Sequence, residues 1–280
     1  MLALALIAAG CSSSSNPDTA DGSDLGTTCI EVDDRERCWT LQPASTVGSP
    51  TPLIVDLHGF TGTAEGQRSV SGFAEIGERE GVHVVWPTGV HASWNAGRGC
   101  CGRAVQEDVD DVGFVRTMID EISEDVAVDL DRVYLTGLSN GCAMAQRFAA
   151  DASDAVAAVA CMALYLIDQP ESDYSPVPVM ELHGTDDRVV RYEGGDAFTP
   201  GGSAPANLAR WAELNSCVGT PADETLPDGV TITTHADCAG DTEAILVTIE
   251  GAGHLLYQGE QTRVDTTELA WEFLRRFSKS

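Results

Sequence analysis

The residues most able to do chemistry form a short run, Gly137-Leu138-Ser139-Asn140-Gly141, the one Gly-x-Ser-x-Gly in the chain. A strand-like segment, Arg132 to Thr136, precedes it, and a helical segment from about Gly141 to Ala150 follows. A serine on such a sharp turn projects its hydroxyl above a sheet, and the helix that starts there aims free N–H groups at developing negative charge. Flanking glycines remove side chains that would collide with neighbouring backbone. The plainer reading is a glycine-rich turn with an idle serine, and the strand-turn-helix context argues against it.

A serine hydroxyl is a poor nucleophile at neutral pH. It needs a base, and the base needs an orienting carboxylate. In chain order the acid and then the histidine should follow the serine. Three histidines do: His183, His235 and His254. His254 closes the glycine-rich run Glu250-Gly251-Ala252-Gly253-His254 after the last strand, so it is taken as the base. His235 lies in a probable hairpin arm and His183 at the end of a strand. The acid is expected in His183-Gly184-Thr185-Asp186-Asp187, with Asp187 preferred and Asp186 as the alternative. The oxyanion donors are expected to be the backbone amides of Asn140 and of Phe60, the latter in His58-Gly59-Phe60-Thr61-Gly62. His58 reads as a loop brace.

These groups need a scaffold. Apolar runs at Arg37–Gln42, Pro52–Leu57, Val82–Trp86, Arg132–Thr136, Ala155–Ala163, Val177–Leu182 and Ala244–Ile249 read as strands, with Thr231–His235 as a hairpin arm. Between them, Ser71–Glu80, Asp108–Val126, Gly141–Ala150, Ala206–Leu214 and Thr266–Phe277 carry helical spacing. Such alternation implies an α/β fold: a mostly parallel central sheet with helices on both faces, its ligands bound beyond the C-terminal strand ends.

Composition narrows the function. The 44 acidic residues outnumber the 16 basic ones, Lys279 is the only lysine, and the net charge of -28 repels nucleic acid and anionic lipid. No EF-hand loop, His-Glu-x-x-His or paired Cys-x-x-Cys occurs, so no metal is expected, and the chemistry above needs no cofactor.

The N-terminus reads as an export signal. Leu2 to Ala9 is a short apolar run, and Gly10-Cys11 resembles a bacterial lipobox that would leave Cys11 to carry lipid. Ala8 replaces the usual leucine, and no basic residue precedes the run, so the start need not be Met1. Plain secretion is the alternative. Residues 1–10 are read as signal peptide, 11–28 as a flexible tether and 29–280 as one catalytic domain. Any membrane contact is expected through the lipid anchor alone, in a monomer. Eight cysteines remain after Cys11, an even number that suits disulfides in an exported chain. Cys29 with Cys38 and Cys217 with Cys238 are the expected local pairs; the partners of Cys100, Cys101, Cys142 and Cys161 stay open, Cys142 with Cys161 among them.

From about Arg37 to Phe277 the chain resembles the polyhydroxybutyrate depolymerase-like esterases, related to feruloyl and acetylxylan esterases of the α/β-hydrolase fold. The resemblance rests on Leu57-His58-Gly59, Trp86-Pro87-Thr88-Gly89, Ser93-Trp94-Asn95-Ala96-Gly97 with Cys100-Cys101-Gly102, and Val109-Asp110-Asp111-Val112-Gly113-Phe114. The Ser-Asn-Gly elbow, the His183-Gly184 turn and Gly251-Ala252-Gly253-His254 complete it. It implies carboxylic ester hydrolysis through an acyl-enzyme with Ser139, Asp187 and His254, and it gives Asp110 and Asp111 a structural role. Cys142 and Cys161 stand where the family favours glycine, and Leu255-Leu256-Tyr257 where it often has Trp-Pro. The natural ester is therefore left open between a polyester, a feruloylated or acetylated polysaccharide and a small ester. A catalytically silent binding lipoprotein and a peptidase are the competing readings.

Overall fold

A computed structural model describes residues 25–45, 48–170, 173–195, 202–255 and 264–279. The expected signal peptide, Cys11 and most of the tether lie outside the described residues, as do Leu256 and Tyr257.

Ten strands form one sheet: β1 (Thr27–Val32), β2 (Arg35–Gln42), β3 (Thr51–Leu57), β4 (His83–Pro87), β5 (Val128–Gly137), β6 (Ala158–Met162), β7 (Val179–Gly184), β8 (Ala222–Leu226), β9 (Val230–His235) and β10 (Ala244–Ile249). Their spatial order is β1-β2-β4-β3-β5-β6-β7-β10-β9-β8. The six strands from β4 to β10 in that order run parallel, and an antiparallel pair flanks them on each side. β1 starts at Thr27, two residues before the expected start of the domain.

Pleating sends alternate side chains to opposite faces. On β3, Leu53, Val55 and Leu57 join one core cluster while Ile54 joins the other. The first face packs under α4 (Asp111–Asp125), α5 (Asn140–Asp151) and α6 (Ala204–Leu214), through Phe114, Met118, Phe148, Leu208 and Trp211. The second packs under α1 (Ala64–Ser71), α2 (Phe73–Glu80) and α7 (Thr266–Leu274), through Phe73, Ile76, Trp271 and Phe273. A short α3 (Gly102–Gln106) lies on a loop. Central strands covered on both faces read as unbroken apolar runs, which is why the sequence exposes them.

Several boundaries differ from expectation. The helix expected at Ser71–Glu80 is the second of two, because Gly72 takes a left-handed φ of 75° and ends α1. Thr63 caps α1 by accepting from the Gly66 N–H at 3.0 Å. β5 runs longer than Arg132–Thr136 because its first residues, still paired at Thr51, alternate apolar with acidic side chains and are at least partly exposed. β6 is shorter than Ala155–Ala163, since a single 3₁₀ turn occupies Ser153–Ala155. α4 begins at Asp111, with Asp110 capping it through the Gly113 N–H at 2.8 Å. The closing helix ends at Leu274 rather than Phe277.

Asp111 is fully buried and pairs with the equally buried Arg37 of β2 at 2.6 Å. Its other oxygen accepts the Asn95 N–H at 2.7 Å, so the pair ties the edge of the sheet to the loop before α3. The guanidinium also lies 3.8 Å from the Phe114 ring centre. Replacing Arg37 with methionine leaves a buried, uncompensated carboxylate. The expected result is a loss of about 3–5 kcal/mol in urea denaturation at neutral pH.

Among the described residues four disulfides are present: Cys29–Cys38, Cys100–Cys101, Cys142–Cys161 and Cys217–Cys238. The first joins directly opposed residues of β1 and β2. The third fastens α5 to β6.

Candidate active site

Ser139 follows β5 and turns the chain abruptly into α5. Its φ of 56° and ψ of -120° fall in a region that side chains rarely occupy. The turn is held because the Ser139 N–H donates to the Met162 carbonyl at 2.7 Å, at the end of the adjacent β6. Both motif glycines are required by the closeness of β3. A Cβ on Gly141 would lie 2.1 Å from the Leu57 carbonyl oxygen, and one on Gly137 2.6 Å from the same atom. The sequence Gly-x-Ser-x-Gly thus reflects how near the end of β3 runs to the turn.

The loop after β3 lies beside the serine. A Cβ on Gly59 would be 3.7 Å from the Ser139 Cβ. His58 is buried and braces this loop: its Nδ1 donates to the Gly59 carbonyl at 2.8 Å while its Nε2 accepts the Gly89 N–H at 2.9 Å. Burial pushes its pKa down, which suits that neutral, one-proton arrangement. Among the described residues, neither the Phe60 nor the Asn140 backbone N–H finds an acceptor. The Asn140 side chain has a separate task that sequence reasoning missed. Its Oδ1 accepts the Trp94 N–H at 2.7 Å and its Nδ2 donates to the Trp94 carbonyl at 3.0 Å. The Trp94 indole in turn donates to the His58 carbonyl at 2.9 Å, closing a circuit round the elbow. Only the Ser93-Trp94-Asn95 motif pointed towards it, and a motif does not say which atoms meet.

Asp187 and His254 are brought together. Asp187 follows β7 and His254 follows β10, its parallel neighbour. The two loops are stitched by the Asp186 N–H to the Ala252 carbonyl at 2.9 Å and by the Gly251 N–H to Thr185 Oγ1 at 2.9 Å. Gly184 makes room, since a Cβ there would lie 2.2 Å from the Ala252 carbonyl oxygen. The result is a 2.7 Å hydrogen bond between His254 Nδ1 and Asp187 Oδ2. The other oxygen of Asp187 accepts the Val189 and Val190 N–H groups at 2.8 and 2.9 Å. Burial alone would raise the Asp187 pKa. Hydrogen bonds from His183 and His254 outweigh it and hold the carboxyl well below the usual range. Asp186 is exposed to solvent, and His235 ends β9 opposite Ala244 at the start of β10, the end away from His254.

Ser139, Asp187 and His254 therefore stand beyond the C-terminal ends of β5, β7 and β10, on one edge of the sheet with only β6 between the first two. The Ala163 N–H donates to the Leu182 carbonyl at 3.0 Å, so the ends of β5, β6 and β7 are laced in sequence. The Cys100–Cys101 bridge borders the same region, with Asn140 Nδ2 3.8 Å from Cys100 Sγ.

No family model matches the chain. A putative esterase, NocK of Nocardia uniformis subsp. tsuyamanensis, is 30% identical over 257 residues, covering 83% of this chain and 74% of that protein. The chain belongs to the α/β-hydrolase esterases. Within this family it is also similar to feruloyl esterase B of Piromyces equi, 31% identical over 242 residues and 81% of this chain. It spans only 42% of that longer relative. Among solved structures, the acetyl xylan esterase from Aspergillus awamori superposes with a TM-score of 0.64 at 14% identity, covering 88% of this chain and all of that one, a likeness of fold. In this α/β-hydrolase esterase, Cys142, directly after Gly141 of the elbow, is bonded to Cys161 of β6.

Proposed function

We propose that this chain is a serine esterase that hydrolyses carboxylic esters through an acyl-enzyme, with Ser139 as nucleophile, His254 as base and Asp187 as the orienting acid. The observation that carries this reading is the 2.7 Å bond from His254 Nδ1 to Asp187, on the same sheet edge as a strained serine elbow. The ionised Asp187 can only accept, so Nδ1 carries the proton and Nε2 is left with a lone pair to act as base. His254 Nε2 takes the Ser139 proton as Oγ attacks the ester carbonyl, and the imidazolium then protonates the departing alcohol. A water, deprotonated by the same nitrogen, attacks the acyl-enzyme and releases the acid. The Phe60 and Asn140 amides, for which no acceptor occurs among the described residues, are the proposed donors to the oxyanion.

The substrate class follows the relatives: an ester of a polysaccharide, feruloyl or acetyl, or alternatively a hydroxyalkanoate ester. Export is supported by four disulfides, which persist in oxidising compartments. Attachment through lipid on Cys11 belongs to the same proposal, with the domain acting as a monomer.

A fluorophosphonate probe with peptide mapping tests the reading, alongside a panel of methyl ferulate, acetylated xylan and hydroxybutyrate oligomers. The expected result is labelling at Ser139 and turnover of at least one ester. A folded protein that neither labels nor hydrolyses any of them would instead be a silent binding protein.

A further inference from the structure

Behind the Asp187–His254 pair lies a buried ionisable group that the reaction above does not use. His183, on β7, has no exposed surface. Its Nε2 is 2.9 Å from the Val190 carbonyl oxygen and 3.5 Å from Asp187 Oδ2. Its Nδ1 is 2.7 Å from Glu181 Oε1, two residues back on the same face of β7. A carbonyl only accepts, so Nε2 must carry a proton. Glu181 Oε2 accepts from Asn207 Nδ2 of α6 at 2.5 Å, and Asn207 also donates to Gln146 Oε1 of α5 at 2.9 Å. The Trp211 indole donates to the same oxygen at 2.7 Å, and the Gln146 amide donates to the Leu164 carbonyl at 2.7 Å. The acid loop is thus connected through β7 to two helices by buried, hydrogen-bonded side chains.

We propose that His183, paired with Glu181, is a positioning residue that faces the same Asp187 oxygen as His254 and sets the charge His254 feels. This rests on the esterase reading of the site. The charged groups facing His183 are Glu181 and Asp187. Two tyrosine rings also face it, Tyr165 stacked at 5.4 Å and Tyr192 edge-on at 5.8 Å, their hydroxyls bonded to the Arg191 carbonyl and to Thr248 Oγ1. Burial opposes a charge on His183 and also raises the Glu181 pKa, but the bond to Glu181 and the Asp187 oxygen at 3.5 Å overcome it and push the His183 pKa up to about 10. One cation thus lies between two carboxylates, and removing the cation or neutralising Glu181 should move the site in a definite direction.

The test uses the full chain as wild type, His183→Gln and Glu181→Gln. Rates on one short-chain ester are normalised to the fraction of sites labelled by a fluorophosphonate, so only competent sites count. His183→Gln removes the cation nearest Asp187, and the fully buried Glu181, whose pKa burial already raises, then takes up a proton instead of standing as an unpaired charge. The expected result is a fall in kcat of about tenfold or more, KM within about twofold, and an acid limb of the kcat/KM profile displaced upward by roughly half a pH unit or more. Glu181→Gln keeps the shape and leaves the cation facing Asp187 alone, so its acid limb should move downward. Opposite displacements are what a purely structural role would not produce. Should His183→Gln fail to fold, the Glu181→Gln displacement alone decides. An acid limb unmoved in the folded variants, or moved the same way in both, overturns the proposal, as does an unchanged kcat per labelled site in His183→Gln. A wild type that does not label would count against the esterase reading instead.

Discussion

Replacing Ser139 with alanine is expected to lower the hydrolysis of a short-chain p-nitrophenyl ester by roughly 10⁴- to 10⁶-fold while leaving the protein folded. The loss is large because the variant has no atom to form the acyl-enzyme, and the base and acid cannot act without it. Residual turnover would come only from binding and from the backbone donors, which the substitution leaves in place. The fold should tolerate the change. The φ of 56° at this position is imposed by neighbouring backbone, and Ala163, at the end of β6, already holds a φ of 63°. Thermal melting of the variant should fall within about 1 kcal/mol of the parent. Initial rates with the melting curve decide the matter, and near-parental turnover in the alanine protein would remove Ser139 from its role.

The second large effect is expected at the acid. Asp187→Asn should cost about 10⁴-fold in kcat, while the same change at Asp186 should stay within a few-fold. An asparagine amide facing His254 Nδ1 can donate, which favours the tautomer with the proton on Nε2 and so blocks the base. Asp186 touches the site only through its backbone N–H, which the substitution keeps. Asp187→Asn should also change stability against pH. The Asp187 carboxyl is held below its ordinary value of 3.8, so its contribution is present above that pH and is lost as pH falls through the lower, folded-state range. Asp187→Asn should therefore flatten the acid side of the stability curve. Parallel rate and urea measurements from neutral pH downward check both. Equal rate losses at the two positions would reassign the acid.

Much of this was legible in the chain because burial on both faces leaves a plain record. β3, β4, β6, β7 and β10 are largely apolar and buried, and the glycines of Gly137–Gly141 mark a backbone approach that no other residue survives. The edge strands were harder. β1 reads Thr-Thr-Cys-Ile-Glu-Val and β8 reads Ala-Asp-Glu-Thr-Leu, both largely exposed, so neither carries the pattern that burial would impose. α1 was missed for a similar reason: Ala64–Ser71 buries only small and polar residues along one side.

The side-chain circuits were beyond the sequence altogether. Nothing in the spacing of Asn140 and Trp94, or of Arg37 and Asp111, says that they meet, since each pair is joined only when the sheet brings distant loops together. The same holds for His183, which reads as the end of a strand until α6 supplies Asn207 and the acid loop supplies Asp187.

The order of residues by itself determined the α/β alternation, the elbow and the short set of acids and bases competing to serve it, because local propensity, periodicity and steric demands are written position by position. Which aspartate pairs with His254, and which buried charges surround that pair, was decided only in three dimensions. Those choices depend on hydrogen-bond distances between segments far apart in the chain, and a distance of that kind exists only once β7 and β10 lie side by side.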